Sequence, residues 1–191
     1  MGDVILLRHA ETEWSRTRRH TGRTDVPLTD RGREAARALG PRLRGRDLGL
    51  VLTSPLSRAT ETAALAGLRP EPEEGLLEWD YGAYEGRTTP AIREERPGWY
   101  LFRDGCPGGE GAEAVGARVD PVIARALPVL EAGHDAVLVA HGHVLRVLAA
   151  RWLEQPAAFG GRLYLSTASL SVLGFEREVR VLRGWNDTRA S

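Results

Sequence analysis

Three short clusters hold the residues whose types and spacing could do chemistry: Arg8-His9, Ser54-Pro55-Leu56-Ser57-Arg58 and His141-Gly142-His143. Each directly follows an apolar run: Val4-Ile5-Leu6-Leu7, Leu50-Val51-Leu52-Thr53 or Ala136-Val137-Leu138-Val139-Ala140. An arginine presents a planar fork of donors that matches the oxygens of a phosphoryl group, and a histidine is a nucleophile or proton carrier near neutral pH. Taken singly, a strand-end histidine caps a loop and an arginine at a helix start is a surface residue. Taken jointly, at the ends of three strands, they point to one anion site. Open α/β sheets bind their ligands outside the carboxyl ends of the strands.

The elements that must position these groups are legible in the periodicity. Runs of four or five mainly apolar residues read as buried parallel strands. After the first, Thr29 is placed to cap a helix carrying Ala35, Leu39 and Leu43. After the second, an alanine-rich segment from Ser57 to Leu65 opens a helix beside Arg58, and after the third a helix runs through Trp152. Residues 67–112 hold two of the five tryptophans, nine of the 22 glycines and five of the 11 prolines, and lack a sustained helical period, so they read as an irregular insertion with short helices around Pro90 to Glu95. Glu113 to Leu130 has a helical period, with Pro121 and Pro128 expected to start, kink or end a helix there. Leu170 to Phe175 and Val179 to Leu182 read as a closing pair of strands. The economical architecture is a single α/β domain over residues 1–191, a three-layer sandwich with a largely parallel central sheet and helices on both faces.

Composition removes alternatives. The 191 residues carry 26 basic and 26 acidic side chains, and every basic one is arginine. Without lysine there is no P-loop, no Schiff base and no kinase-type strand lysine. The single cysteine, Cys106, can form neither an internal disulfide nor a multi-cysteine zinc site. A cysteine phosphatase needs an arginine six positions after its nucleophile, and six after Cys106 stands Ala112. An aspartate phosphatase needs paired carboxylates after a strand, where this chain has Arg8-His9. Balanced charge argues against nucleic acid or an anionic membrane as partner. The start of the chain has too few apolar residues for a leader or a span, so a cytoplasmic location is expected.

The ordered motifs resemble one family. Leu7-Arg8-His9-Ala10-Glu11-Thr12 is similar to the signature of the histidine phosphatase superfamily, the phosphoglycerate-mutase-like proteins, with Ala10 where glycine is usual. The resemblance continues through His20-Thr21-Gly22-Arg23, Leu28-Thr29-Asp30, Thr53 to Thr62, Leu77-Glu78-Trp79-Asp80-Tyr81-Gly82, Glu85-Gly86 and Val139-Ala140-His141-Gly142. It implies that His9 is the nucleophile that becomes phosphohistidine. By the same resemblance Arg8, Arg58 and His141 bind the transferring phosphoryl group and Glu78 protonates the leaving oxygen. Arginine charge keeps such a nucleophile neutral, whereas His141 is expected to serve protonated. Ser15, Thr21, the Gly22 backbone and Gly142 align with positions that touch phosphate or substrate. Arg146 either reaches a distal anionic group or lies on a solvated helix face. Glu85 divides evenly between a functional and a loop-fixing role, and Trp79, Tyr81 and Tyr84 read as loop packing.

The run from Glu78 to Gly86, with Trp99 and Phe102 to Glu110, is similar to a subgroup of broad acid phosphatases and sedoheptulose bisphosphatases. The expectation is a phosphomonoesterase for small phosphorylated metabolites, with an acidic optimum and without cofactor or metal. The alternatives are a phosphoglycerate mutase, disfavoured by the compact chain, and an inactive phosphate-binding protein. Both a monomer and a homodimer are compatible with the sequence. Residues 8–23 hold five arginines and two glutamates, a local charge of plus three at the rim of the expected pocket.

Overall fold

A computed structural model describes residues 1–189. Val4–Arg8 is β1, and Val4 to Leu7 are all buried, as a central parallel strand requires. Three helices and a strand follow: α1 (Glu13–Arg16), α2 (Asp30–Arg37), β2 (Leu48–Thr53) and α3 (Ser57–Leu65). Segment 67–112 contributes β3 (Glu71–Pro72), α4 (Thr89–Glu95) and α5 (Leu101–Asp104), joined by loops and single 3-10 turns. Then come α6 (Ala112–Glu131), β4 (Asp135–Ala140), α7 (Gly142–Trp152), β5 (Leu170–Glu176) and β6 (Val179–Asp187).

The strand order is β3-β2-β4-β1-β5-β6. Neighbours from β3 to β1 are parallel, whereas β5 runs antiparallel to both β1 and β6. Successive side chains of a strand point to opposite faces, which sorts the core into two layers. Leu6, Leu52, Ala136 and Leu138 pack with α6 and α7, and Ile5, Leu7, Val137 and Val139 pack with α3 and the Leu39–Leu43 turn. The expected three-layer sandwich is thus formed.

Thr29 caps α2 through its hydroxyl, as its type and position predict. The prolines of α6 do not break it. Residues Ala112–Glu131 form one helix, because Pro121 and Pro128 lie on its exposed face. The carbonyls that each proline leaves without an intrahelical donor belong to Ala117 and Ala124, which are also exposed, so water can satisfy them. Val115, Val119, Val122, Ala126 and Leu130 hold the opposite face in the core.

Register brings the chemistry together. Arg8 pairs with Ala140 and Thr53 with Val139, so β1, β2 and β4 end level with one another. The hydrogen bonds extend one residue further, from His9 N to Ala140 O (2.8 Å) and from Ser54 N to Val139 O (2.9 Å). His9, Ser54 and His141 therefore meet at one sheet edge.

Candidate active site

His9 is 4% exposed, and its Nδ1 lies 2.7 Å from the carbonyl of Ala10. A carbonyl only accepts, so Nδ1 carries the hydrogen and Nε2 carries the lone pair. Nε2 makes no hydrogen bond among the described residues, and His9 lines a cleft of about 720 Å³. Burial, then the charges of Arg8 and Arg58, hold the imidazole well below its usual pKa of 6.5. Ala10 fits where glycine is usual, because its backbone is not left-handed and its methyl packs with Leu28 and Ala36.

The two arginines are used differently. Arg58 is fully buried and does not line the cleft. It donates to the carbonyls of Thr24 (2.9 Å), Thr21 (3.2 Å) and Gly22 (2.8 Å), and its Nε donates to Nδ1 of His141 at 3.1 Å. Arg8 donates to the carbonyl of Leu165 through Nη1, its one hydrogen bond among the described residues, and its Nε is buried without a partner. A buried guanidinium N–H without an acceptor is costly, and the facing cleft is where an anion would satisfy it. A side chain at Gly142 would crowd this group, since its Cβ would stand 3.2 Å from Arg8 Cζ.

The expectation of a protonated His141 is corrected. Nδ1 accepts from Arg58 and therefore holds a lone pair, and Nε2 meets Ser54 Oγ at 2.7 Å. A cation would set an N–H against the Arg58 N–H. Burial first, then Arg58, His9 and Arg8, hold His141 well below 6.5. Its ring stands 5.1 Å from that of His9, so it braces the nucleophile from behind.

Glu78 reaches the same place from the irregular segment. Its carboxylate accepts from the backbone N–H groups of Trp79 (2.8 Å), His143 (3.0 Å) and Val144 (2.9 Å). The last two are orphan donors of the first turn of α7, where negative charge is favoured. The flanking backbone is fixed by Arg118, which donates to Leu77 O at 2.7 Å and to Glu110, while Glu110 accepts from Asp80 N. A carboxyl group is thus held on the wall that also carries His9 and Arg8.

Ser15, Thr21, Gly142 and Arg146 line the cleft, and Gly22 does not. The Gly22 N–H is already bound to the Glu85 carboxylate at 2.9 Å, and any side chain there would strike Glu85 and the Trp79 carbonyl. The Gly22 backbone is thereby corrected from a ligand of substrate to a fixed turn, and Glu85 is the residue that fixes it. The hydroxyl hydrogen of Ser15 goes to Thr12 O and that of Thr21 to Arg19 O.

Residues 4–188 match the histidine phosphatase superfamily (branch 1). The chain belongs to that superfamily. It is 46% identical over 182 residues to an acid phosphatase of Mycobacterium tuberculosis, covering 94% of this chain and 89% of the other. It is 35% identical over 181 residues to a sedoheptulose 1,7-bisphosphatase of Saccharomyces cerevisiae, covering 78% and 66%. The solved structure of an open reading frame from Mycobacterium tuberculosis superposes with a TM-score of 0.93 at 44% identity, covering 97% of both chains. This histidine phosphatase is a hydrolase of phosphorylated small molecules.

Sequence reasoning missed two parts of the phosphatase cleft. One is the wall Tyr164 to Thr167, delivered beside His9 because β5 returns antiparallel to β1. Nothing in its composition marks it. The other is the meeting of His20, Tyr81 and His143 on one wall: the sequence shows both histidines in their motifs and reads Tyr81 as loop packing, without signalling that the three come together.

Burial lowers His20 to about 4, and His143 is also held well below 6.5, by burial and then by Arg146. The folded state therefore refuses protons that the unfolded chain accepts below 6.5. Stability is lost as pH falls from 6.5 toward 4, by about 3 kcal/mol for His20 alone. The melting temperature of this histidine phosphatase should drop on acidification through that window, and His20→Asn should flatten the profile. A melting temperature independent of pH there would refute the assignment.

Proposed function

We propose that this phosphatase hydrolyses sugar phosphates and similar small monoesters through phospho-His9. The observation that carries the reading is the pairing of an unprotonated His9 Nε2 with an unpartnered Arg8 guanidinium edge at one cleft. Nε2 attacks phosphorus, a P–N bond forms, and the ester P–O bond breaks as Glu78 gives its proton to the leaving oxygen. Water then attacks, Glu78 as carboxylate takes its proton, and the P–N bond breaks to release phosphate. Arg8 meets the phosphoryl oxygens, and the charge of Arg58 acts from behind, so the work is largely positioning and charge stabilisation. Because His9 stays neutral well below 6.5, the nucleophile remains available in acid, which supports an acidic optimum. The sugar-phosphate class is supported by the sedoheptulose 1,7-bisphosphatase relative and by the arginines at 16, 18, 19 and 146 along the cleft. We also propose that the enzyme is cytoplasmic and needs no metal, since arginines supply the charge that a metal otherwise would.

The test is phosphate release from p-nitrophenyl phosphate and a panel of sugar phosphates, beside exchange between 3- and 2-phosphoglycerate. Release of phosphate faster than exchange is expected. Faster exchange would replace the reading with a mutase, and binding without turnover would replace it with an inactive binder.

A further inference from the structure

His143 takes no part in the steps above, yet its side chain is held as firmly as a working group. Its backbone N–H binds Glu78, and its ring is flanked by Phe102 at 5.5 Å and Trp79 at 6.3 Å. Nδ1 meets the hydroxyl of Tyr81, a side chain only 2% exposed whose hydroxyl has no other partner among the described residues. The phenol is the donor, because its hydrogen would otherwise be buried without an acceptor. Nδ1 accepts, so the ring hydrogen sits on Nε2. Among the described residues the ring's one hydrogen bond is the one at Nδ1, and His143 lines the cleft together with Arg146, His20 and Thr89.

We propose that His143 is a specificity-determining residue whose Nε2–H donates to a hydroxyl or ring oxygen of a polyhydroxylated leaving group, with Tyr81 as the positioning residue that fixes its tautomer. This rests on the phosphatase reading and adds the class of leaving group. A neutral N–H is a poor match for a dianion, which the cleft arginines serve better, and a good match for an uncharged oxygen. The Thr89 hydroxyl, 3.3 Å from His20 Nε2 on the same wall, adds a group able to accept as well as donate, as a sugar hydroxyl requires. A substrate without hydroxyls would leave these half-buried groups unpaired, which is how such sites reject it.

The experiment compares kcat/KM for ribose phosphate and n-pentyl phosphate, matched in carbon number. The wild type should favour ribose phosphate by about tenfold or more, the worth of one or two hydrogen bonds. His143→Leu should lower that ratio about tenfold, and Tyr81→Phe, which keeps the ring packing, about threefold. His143→Gln, whose amide nitrogen reaches the Nε2 position, should restore part of the ratio. Each ratio is taken within one variant, so a common loss through Glu78 or folding cancels. A ratio in His143→Leu within twofold of wild type, or no wild-type preference, overturns the inference. The p-nitrophenyl phosphate assay separates the two failures. Turnover of that ester with an unchanged ratio sinks only the His143 role, and no turnover sinks the phosphatase reading with it.

Discussion

Replacing His9 with alanine should lower kcat/KM for phosphate monoesters by about four orders of magnitude or more, the usual consequence of losing a covalent nucleophile. Among the described residues no other side chain is placed to take over. His141 has both ring nitrogens engaged, by Arg58 and Ser54, and His20 and His143 belong to the inner group of the cleft. The lone cysteine is not a substitute either, since burial and nearby carboxylates push Cys106 up to about 12 and keep it a thiol. The fold should survive, because the change removes one side-chain hydrogen bond, that from Nδ1 to Ala10 O. Two measurements check this: initial rates of phosphate release, and intact mass of enzyme quenched during turnover. The wild type should gain one phosphoryl group and the variant none. Activity within tenfold of wild type would mean that another nucleophile does the chemistry.

Arg58→Met and Arg8→Met should each cost about three orders of magnitude or more in kcat/KM, in line with losing an arginine from a phosphoryl-transfer site. Their effects on stability should differ sharply. Arg58 satisfies three backbone carbonyls and the His141 Nδ1 from a fully buried position, so its removal leaves several buried acceptors unpaired. A loss of about 3–5 kcal/mol is expected, a large part of the stability of an ordinary domain. Arg8 gives the protein one carbonyl bond, to Leu165, and keeps a buried Nε with no acceptor, so its loss should cost about 1–2 kcal/mol or less. Phosphate should protect the wild type against urea and fail to protect Arg8→Met, because binding to the native state alone stabilises it. Equal stability losses in the two variants would refute the division between a structural and a substrate-facing arginine.

The amino-acid sequence by itself determined the strands and helices that carry the site. Runs of four or five mainly apolar residues ending in a polar cluster define β1, β2 and β4, and local capping and composition define α2, α3 and α7. These are short-range properties, read from neighbours in the chain. The same locality explains why the sequence left open whether the prolines of α6 start, kink or end a helix: it shows a missing N–H, while its cost depends on whether the freed carbonyl faces water. It also explains why His9, Arg8, Arg58, His141 and Glu78 were named together without any indication of which hydrogen bonds each one makes.

Only the tertiary structure decided that allocation. Arg58 is bound to carbonyls 34 to 37 positions away in sequence, and Arg8 to one 157 positions away. Gly22 is committed to Glu85 across 63 positions, and Tyr81 reaches His143 across 62. The wall from Tyr164 to Thr167 arrives because a strand turns back along β1. A donor has few hydrogens, and which acceptor takes each depends on which distant segments fold against it. Residue type therefore fixed what each group can do, and three-dimensional contact fixed which groups remain free to do it.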